Sequence, residues 1–391
     1  MNLGPLAKGL RRGLKLTVVM VAGLSAASAA LAAETLTLSN PRMEPDPVEA
    51  YGPLALHVDF TGARAPVVRL WSLLAREGSQ ADMSAFEIKP GPALGPSGKL
   101  FRTWEMGEPG PWLLTLVGED ARGERSAPLE LRFRVVEPPR PYEDVTYPSG
   151  GLKIKAYLYR PPGDGPFPAI IYSHGSMVRW DMAQPHRYEW LAYRLARLGY
   201  LTFVVERRGY GGSAGEGVVG GEGLNSLRYG LLGEVKDVES AIEFLKARPD
   251  VDGSRIALIG KSLGGFVSLM ATAERPDLRA AISLAGGYGF GDRSMGPVML
   301  YVQNELRGAA GRIKVPTLLM HAENDRIVPV QFSRMVFEEL RQRGVPAVAK
   351  IYPPFKVAGK EREGHSMFDG VDGLRYFWND LTGFLAETLK P

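Results

Sequence analysis

The sequence predicts a mostly parallel α/β sheet over residues 138–391, preceded by a small all-β sandwich over residues 34–137. Three observations predict it. Strand-like and helix-like runs alternate from Gly151 onward, the pattern of a sheet covered by helices on both faces. From Glu34 to about Val136 the apolar residues instead alternate with the period of two that marks strands. Between the two patterns, Pro138-Pro139-Arg140-Pro141 forms a stiff linker.

The N-terminal elements are Thr35-Leu36-Thr37-Leu38, Leu54 to Phe60, Val67 to Trp71, Trp112 to Val117 and Leu129 to Val135. Gly118 to Ser126 is a polar hairpin loop between the last two. Short strands parted by Gly and Pro turns imply a β-sandwich. The stretch from Gly110 to Val135 resembles the closing hairpin of immunoglobulin-like or fibronectin-like modules of exported bacterial proteins. His57 sits in an alternating strand and is expected to be structural, and no charged cluster in this region looks catalytic.

Ahead of the sandwich, residues 1–33 have the pattern of a secretory signal peptide. Lys8, Arg11, Arg12 and Lys15 precede an Ala-, Val- and Leu-rich run, and Ala30 and Ala32 occupy the small-residue positions of a cleavage site. A periplasmic or secreted protein without a membrane span after processing is the expectation. Lys and Arg total 47 against 43 Asp and Glu, and removing the four basic residues of the leader leaves 43 of each sign. The basic excess of the whole chain therefore argues nothing about nucleic-acid or acidic partners, and no nucleic-acid partner is expected. The chain has no cysteine, which excludes disulfides, a lipidated cysteine, a thiolate nucleophile and thiolate metal ligands. No metal or organic cofactor is expected.

In the second region Gly151 to Arg160 is an edge hairpin, and Ala169 to Ser173 the next strand. A helix from Arg187 presents Trp190, Leu191, Leu195 and Leu198 on one face, with Gly199 past its end. Leu201 to Val205 is a strand, and a helix near Glu234 to Ala247 buries Val235, Val238, Ile242 and Leu245. Further strands are expected at Ile256 to Ile259, Ala280 to Ala285, Val315 to Met320 and Ala347 to Tyr352. A closing helix presents Tyr376, Phe377, Leu381, Phe384 and Leu385. The Gly- and Met-containing segment Gly286 to Arg312 is expected to wall a fairly open pocket.

The chemistry concentrates where strands end. Ile256 to Ile259 runs into Gly260-Lys261-Ser262-Leu263-Gly264, a G-x-S-x-G turn, and then into a helical run from Phe266 to Arg275 stopped by Pro276. Such a turn lifts the Ser262 hydroxyl to the strand tip above a helix N-terminus. Gly-Lys-Ser also ends phosphate-binding loops, but that motif needs a glycine where Arg255 stands. Asp325 follows the Val315 to Met320 strand, and His365 lies in the loop after Ala347 to Tyr352. Ser262, Asp325, His365 is the Ser, acid, His order of a hydrolase triad on such a sheet. Glu323 is the alternative acid, Asp369 and Asp372 look like helix N-terminal acids, His321 like a packed strand residue, and His186 is unassigned. Ser173-His174-Gly175-Ser176 ends the Ala169 strand, and the backbone N–H groups of Ser176 and Leu263 are the candidate oxyanion hole.

From about Tyr142 to Pro391 the chain resembles the dienelactone-hydrolase-like and prolyl-oligopeptidase-type branch of the α/β-hydrolase superfamily. The resemblance rests on Pro168 to Gly175, Arg207-Arg208-Gly209-Tyr210-Gly211-Gly212-Ser213, Val251 to Gly265, Asn324 to Pro329 and Gly364-His365. It implies a serine hydrolase acting on a small-molecule ester or a short peptide. Dienelactone hydrolases use a cysteine nucleophile, so their lactone substrate does not carry over. The peptidases carry a large β-propeller, and a sandwich of roughly 100 residues is too small for one. Acyl-CoA thioesterase and bile-acid-CoA acyltransferase relatives pair a sandwich with this domain, but export removes the chain from CoA. For a peptidase, Glu206, Arg207 and Arg208 are the candidate anchors for a peptide terminus.

Overall fold

The computed structural model describes residues 35–44, 46–50, 53–76, 82–87, 97–105, 109–138, 142–177, 179–218, 223–289, 296–357 and 360–390. The expected export segment lies outside them. The chain divides into two units, residues 1–138 and 139–391.

The first unit consists of β1 (Thr37–Glu44), β2 (Val48–Glu49), β3 (Pro53–Thr61), β4 (Val67–Arg76), β5 (Asp82–Glu87), β6 (Gly98–Glu105), β7 (Gly110–Asp120) and β8 (Leu129–Val136). They form two sheets, β1-β3-β6 and β2-β8-β7-β4-β5, antiparallel except for the short β2–β8 pairing. Leu54, Leu56, Val58 and Phe60 alternate inward along β3 and share one core with Leu70, Leu114, Leu116 and Val135 of the other sheet. The polar loop after β7 is pinned by Glu119, whose carboxylate accepts from Trp71 Nε1 (2.9 Å), Arg69 (3.1 Å) and Arg125 (2.7 Å). His57 lies 3.4 Å from the Glu44 carboxylate.

The second unit is built on an eight-stranded sheet, with a separate short antiparallel pair, Lys356–Val357 and Lys360–Glu361. The strands of the sheet are β9 (Glu143–Ser149), β10 (Leu152–Tyr159), β11 (Phe167–Ser173), β12 (Leu201–Glu206), β13 (Val251–Lys261), β14 (Ala280–Leu284), β15 (Thr317–Ala322) and β16 (Ala347–Tyr352). The order is β16-β15-β14-β13-β11-β12-β10-β9, with only β9 and β10 antiparallel to their neighbours. The helices are α1 (Arg179–Met182), α2 (Glu189–Arg197), α3 (Gly223–Lys246), α4 (Leu263–Ala273), α5 (Gly296–Ala310), α6 (Val330–Gln342) and α7 (Val371–Thr388).

Successive strand residues feed opposite faces. Ile171, Phe203 and Leu258 pack with α3 to α6, and Ile170, Val204 and Ile259 with α2 and α7. Burial on both sides explains the unbroken apolar runs of β11 and β13. Each such side chain contributes about 1.5–3 kcal/mol of transfer free energy.

Several features differ from the sequence reading, among them the following. Helix α3 begins at Gly223, well before Glu234. Its first turns carry Gly230 and Gly233, where a Cβ would lie 2.7 Å from Val218 Cγ2 and 2.4 Å from Arg208 Nη1, so glycines that look like loop residues serve close packing. The helix after Ser262 starts at Leu263, not Phe266. Leu198 is exposed, because it is the cap residue beyond the last turn of α2. The edge hairpin is built from β9 and β10 through Gly150-Gly151, both with positive φ.

Candidate active site

Ser262 stands between β13 and α4 with φ 56° and ψ −124°, a conformation that L-residues rarely adopt. Three backbone hydrogen bonds hold it there. Its N–H donates to Leu284 O (2.9 Å), and its carbonyl accepts from Phe266 and Gly287 N–H (3.1 Å each). A serine at a helix N-cap ordinarily spends its hydroxyl on the first turn. Ser262 makes no such bond, so its hydroxyl is not used as a cap.

The flanking glycines are steric necessities. A Cβ on Gly260 would lie 2.1 Å from Gly264 O, and one on Gly264 would lie 2.0 Å from Ser173 O. These contacts press the start of α4 onto the end of β11. Gly175 sits beside Ser262, with a Cβ position 3.3 Å from that of the serine, which brings the Gly175-Ser176 turn against the elbow. Leu263, fully buried, is the first residue of α4.

Asp325 and His365 meet across two loops at the carboxyl ends of β15 and β16. His365 Nδ1 lies 2.7 Å from Asp325 Oδ2, and both side chains are largely buried. Asp325 Oδ1 accepts from the backbone N–H of Ile327 (2.9 Å) and Val328 (2.8 Å). Although burial alone would raise its pKa, hydrogen bonds from His321 and His365 hold the carboxyl well below the usual carboxylate range. Burial pushes the His365 imidazole below its ordinary value, Lys261 adds to that, and Asp325 opposes it. Glu323 is exposed.

The loops are fastened by residues that the sequence reading did not single out. Glu363 Oε1 accepts from Arg326 N–H (2.8 Å) and His365 N–H (3.3 Å). Asn324 Nδ2 donates to Arg362 O (2.8 Å), and its Oδ1 accepts from Phe355 N–H (2.9 Å). Gly364 is confined by this stitching, since a Cβ there would lie 2.5 Å from Asp325 N. Asp369, one residue before the Gly370 cap of α7, pairs at 2.6 Å with Lys261, the neighbour of Ser262, and Asp372 lies in the first turn of that helix. His321 is buried, as a packed strand residue is, and its Nε2 lies 3.0 Å from Asp325 Oδ2.

The three candidate anchors for a peptide terminus are consumed internally. Arg207 is fully buried, donating from Nε to Glu234 (2.7 Å) and from Nη1 to Ser173 Oγ and His174 O (2.7 Å each). Arg208 forks onto Asp237. The Glu206 carboxylate is buried and faces His186 through its backbone N–H and its Nδ1 (3.2 Å), giving that histidine a structural partner. His174 is buried beside Arg207, and its imidazole is pushed well below the ordinary histidine value, chiefly by desolvation. A cavity of about 450 Å³ opens at the antiparallel edge between Lys155, Tyr157 and Arg187, and its lining includes none of Ser262, Asp325 and His365.

Substitutions separate the two acids. Asp325→Asn is expected to lower ester turnover about 10⁴-fold, because the amide favours the wrong imidazole tautomer. Glu323→Gln is expected to change it less than twofold. Steady-state kcat/KM on a p-nitrophenyl ester checks both, and equal losses would reject Asp325 as the acid.

Residues 150–299 match the family described as X-Pro dipeptidyl-peptidase (S15 family). The chain is 26% identical over 281 residues to the human acylamino-acid-releasing enzyme, covering 62% of this chain and 36% of that enzyme. It is 24% identical over 270 residues to the α/β-hydrolase domain-containing protein WAV2 of Arabidopsis thaliana, covering 63% of this chain and 79% of the plant protein. The acylaminoacyl peptidase of Pyrococcus horikoshii superposes with a TM-score of 0.50 at 20% identity, over 86% of this chain and 55% of that structure. The chain thus spans about a third of the human enzyme it matches. With the eight-stranded sheet and its elbow, these matches show the α/β-hydrolase fold and make the chain similar to hydrolases and peptidases built on it.

Proposed function

We propose that the chain is an exported hydrolase that cleaves carboxylic esters through an acyl-enzyme on Ser262. The observation that carries this reading is the buried 2.7 Å pairing of His365 with Asp325 on strand-end loops, together with a serine elbow whose hydroxyl caps nothing. Ser262 Oγ attacks the acyl carbon while His365 Nε2 takes its proton. Asp325 keeps the imidazole in the Nδ1–H tautomer and stabilises the imidazolium without itself being protonated. Collapse of the tetrahedral intermediate expels the alkoxide, which leaves with the proton held by His365. Water, activated by the same imidazole, then releases the acid. The N–H groups of Ser176 and Leu263 hold the oxyanion, each lowering the barrier by roughly 3 kcal/mol. Export rests on the leader pattern of residues 1–33, and N-terminal sequencing of protein recovered from the periplasm tests it.

A peptidase reading is favoured by the X-Pro dipeptidyl-peptidase match and the acylamino-acid-releasing relatives. Against it, Glu206, Arg207 and Arg208, the anchors expected for a peptide terminus, are all engaged inside the fold. Comparing kcat/KM on p-nitrophenyl butyrate with that on an aminoacyl p-nitroanilide tests the choice. Ester turnover without sustained anilide turnover is the expected result, and efficient anilide cleavage would establish the peptidase.

The pH profile follows from His365. A base whose pKa is lowered by burial stays neutral, and so able to accept a proton, below the ordinary histidine value of about 6.5. The acid limb of kcat/KM for the ester is therefore expected to have its midpoint below pH 6.5. A midpoint above 7 would contradict the burial argument.

A further inference from the structure

We propose that His321 is a positioning residue for the reaction, acting through Asp325 to set the basicity of His365. This inference rests on the Ser262 reading above. His321 is the fifth residue of β15, fully buried, and its two ring nitrogens have distinct partners. Nε2 lies 3.0 Å from both Asp325 Oδ2 and Val328 O, and Nδ1 lies 2.8 Å from Ser333 Oγ on the first turn of α6.

The tautomer follows from those partners. A backbone carbonyl only accepts and an ionised carboxylate only accepts, so Nε2 carries the hydrogen. Nδ1 of the neutral ring is then an acceptor, and the Ser333 hydroxyl donates to it. Ser333 thereby holds the His321 N–H between Val328 O and Oδ2, and Oδ2 is the same carboxylate oxygen that accepts from His365 at 2.7 Å.

Two imidazoles therefore share one carboxylate oxygen. A hydrogen bond from His321 draws charge out of Oδ2 and weakens its hold on the His365 imidazolium. It also fixes the plane of the carboxylate, together with the two backbone N–H groups on Oδ1. Removing the His321 donor leaves Oδ2 to His365 alone. The imidazolium is then favoured, and His365 becomes a usable base only at higher pH. The other charged groups around His365 stay in place: Lys261 and Asp369, paired with each other, and Glu363, which accepts from its backbone N–H. None of them touches His321.

The experiment uses the full processed chain and p-nitrophenyl butyrate, with active enzyme counted by fluorophosphonate titration. His321→Leu is expected to move the acid limb of kcat/KM upward by about half to one pH unit and to lower kcat about tenfold. His321→Gln places an amide N–H where Nε2 lay and is expected to restore both within about twofold. Ser333→Ala, which frees the ring without emptying the site, is expected to shift the limb in the same direction by a smaller amount, and it carries the test if His321→Leu does not fold. An acid limb unmoved in the folded variants would overturn the proposal. So would a His321→Gln profile no better than that of His321→Leu. If the wild-type chain takes up no fluorophosphonate, or Ser262→Ala keeps its turnover, the Ser262 reading itself fails. Normal labelling with an unmoved limb sinks only the role of His321.

Discussion

Ser262→Ala is expected to lower ester turnover roughly a millionfold while leaving the fold intact. The size follows from how the residues act together. Without the Oγ nucleophile, the Asp325–His365 pair has no proton to accept, and only binding and oxyanion stabilisation remain. His365→Ala is expected to cost about as much, since an unactivated serine hydroxyl is a weak nucleophile at neutral pH. The fold tolerates the serine change because the hydroxyl makes no capping bond, and the elbow is held by backbone groups that alanine keeps. The positive φ is already present, and alanine bears it as serine does. Circular dichroism with kcat on a p-nitrophenyl ester checks both halves. A variant within a hundredfold of wild type would remove Ser262 from the mechanism.

The largest expected effect on stability is at Arg207. Arg207→Met is expected to destabilise the second unit by about 3–5 kcal/mol, the cost of leaving one partner of a buried ion pair alone. Glu234 is fully buried, and burial holds its carboxyl above the usual range even with Arg207 present. Without the guanidinium, it loses its charge partner and a 2.7 Å hydrogen bond. His174 O and Ser173 Oγ lose a donor as well, just where β11 enters the Gly175-Ser176 turn. Activity is therefore expected to fall with stability, through the turn. Arg207→Met combined with Glu234→Gln is expected to recover part of the loss, because the uncompensated carboxylate is gone. Urea unfolding free energies measure both variants, and a loss below about 1 kcal/mol for the single one would show that the pair is not the anchor of this loop.

Much of the candidate site was legible because backbone geometry forces particular residues into short stretches. Gly260, Gly264 and Gly265 around Ser262 mark an elbow, since any side chain there would collide with neighbouring backbone. Strand alternation placed Asp325 and His365 at strand ends, where loops converge in any parallel sheet. Burial on both faces made β11 to β15 readable as apolar runs. What stayed hidden depends on contacts between residues far apart in the chain. Nothing near Arg207 shows that its partners are Ser173, His174 and Glu234. Nothing near Lys261 points to Asp369. Helix α3 was cut short because Gly230 and Gly233 serve packing against Val218 and Arg208, a purpose local propensity cannot reveal. In the first unit, β2 is only two residues long, and its pairing with β8 spans most of that unit, so it carries no periodic signal. For His321 one signal was available: it lies four residues before Asp325 across a strand end, close enough in sequence to meet it.

The central claim is that Ser262 is a nucleophile activated by His365, and covalent labelling tests it most directly. The chain, incubated with a fluorophosphonate and examined by intact mass and peptide mapping, is expected to take up one equivalent. The label is expected on the peptide that begins after Lys261, and His365→Ala should block its uptake. No label on the folded protein, or a label on a peptide without Ser262, would contradict the account.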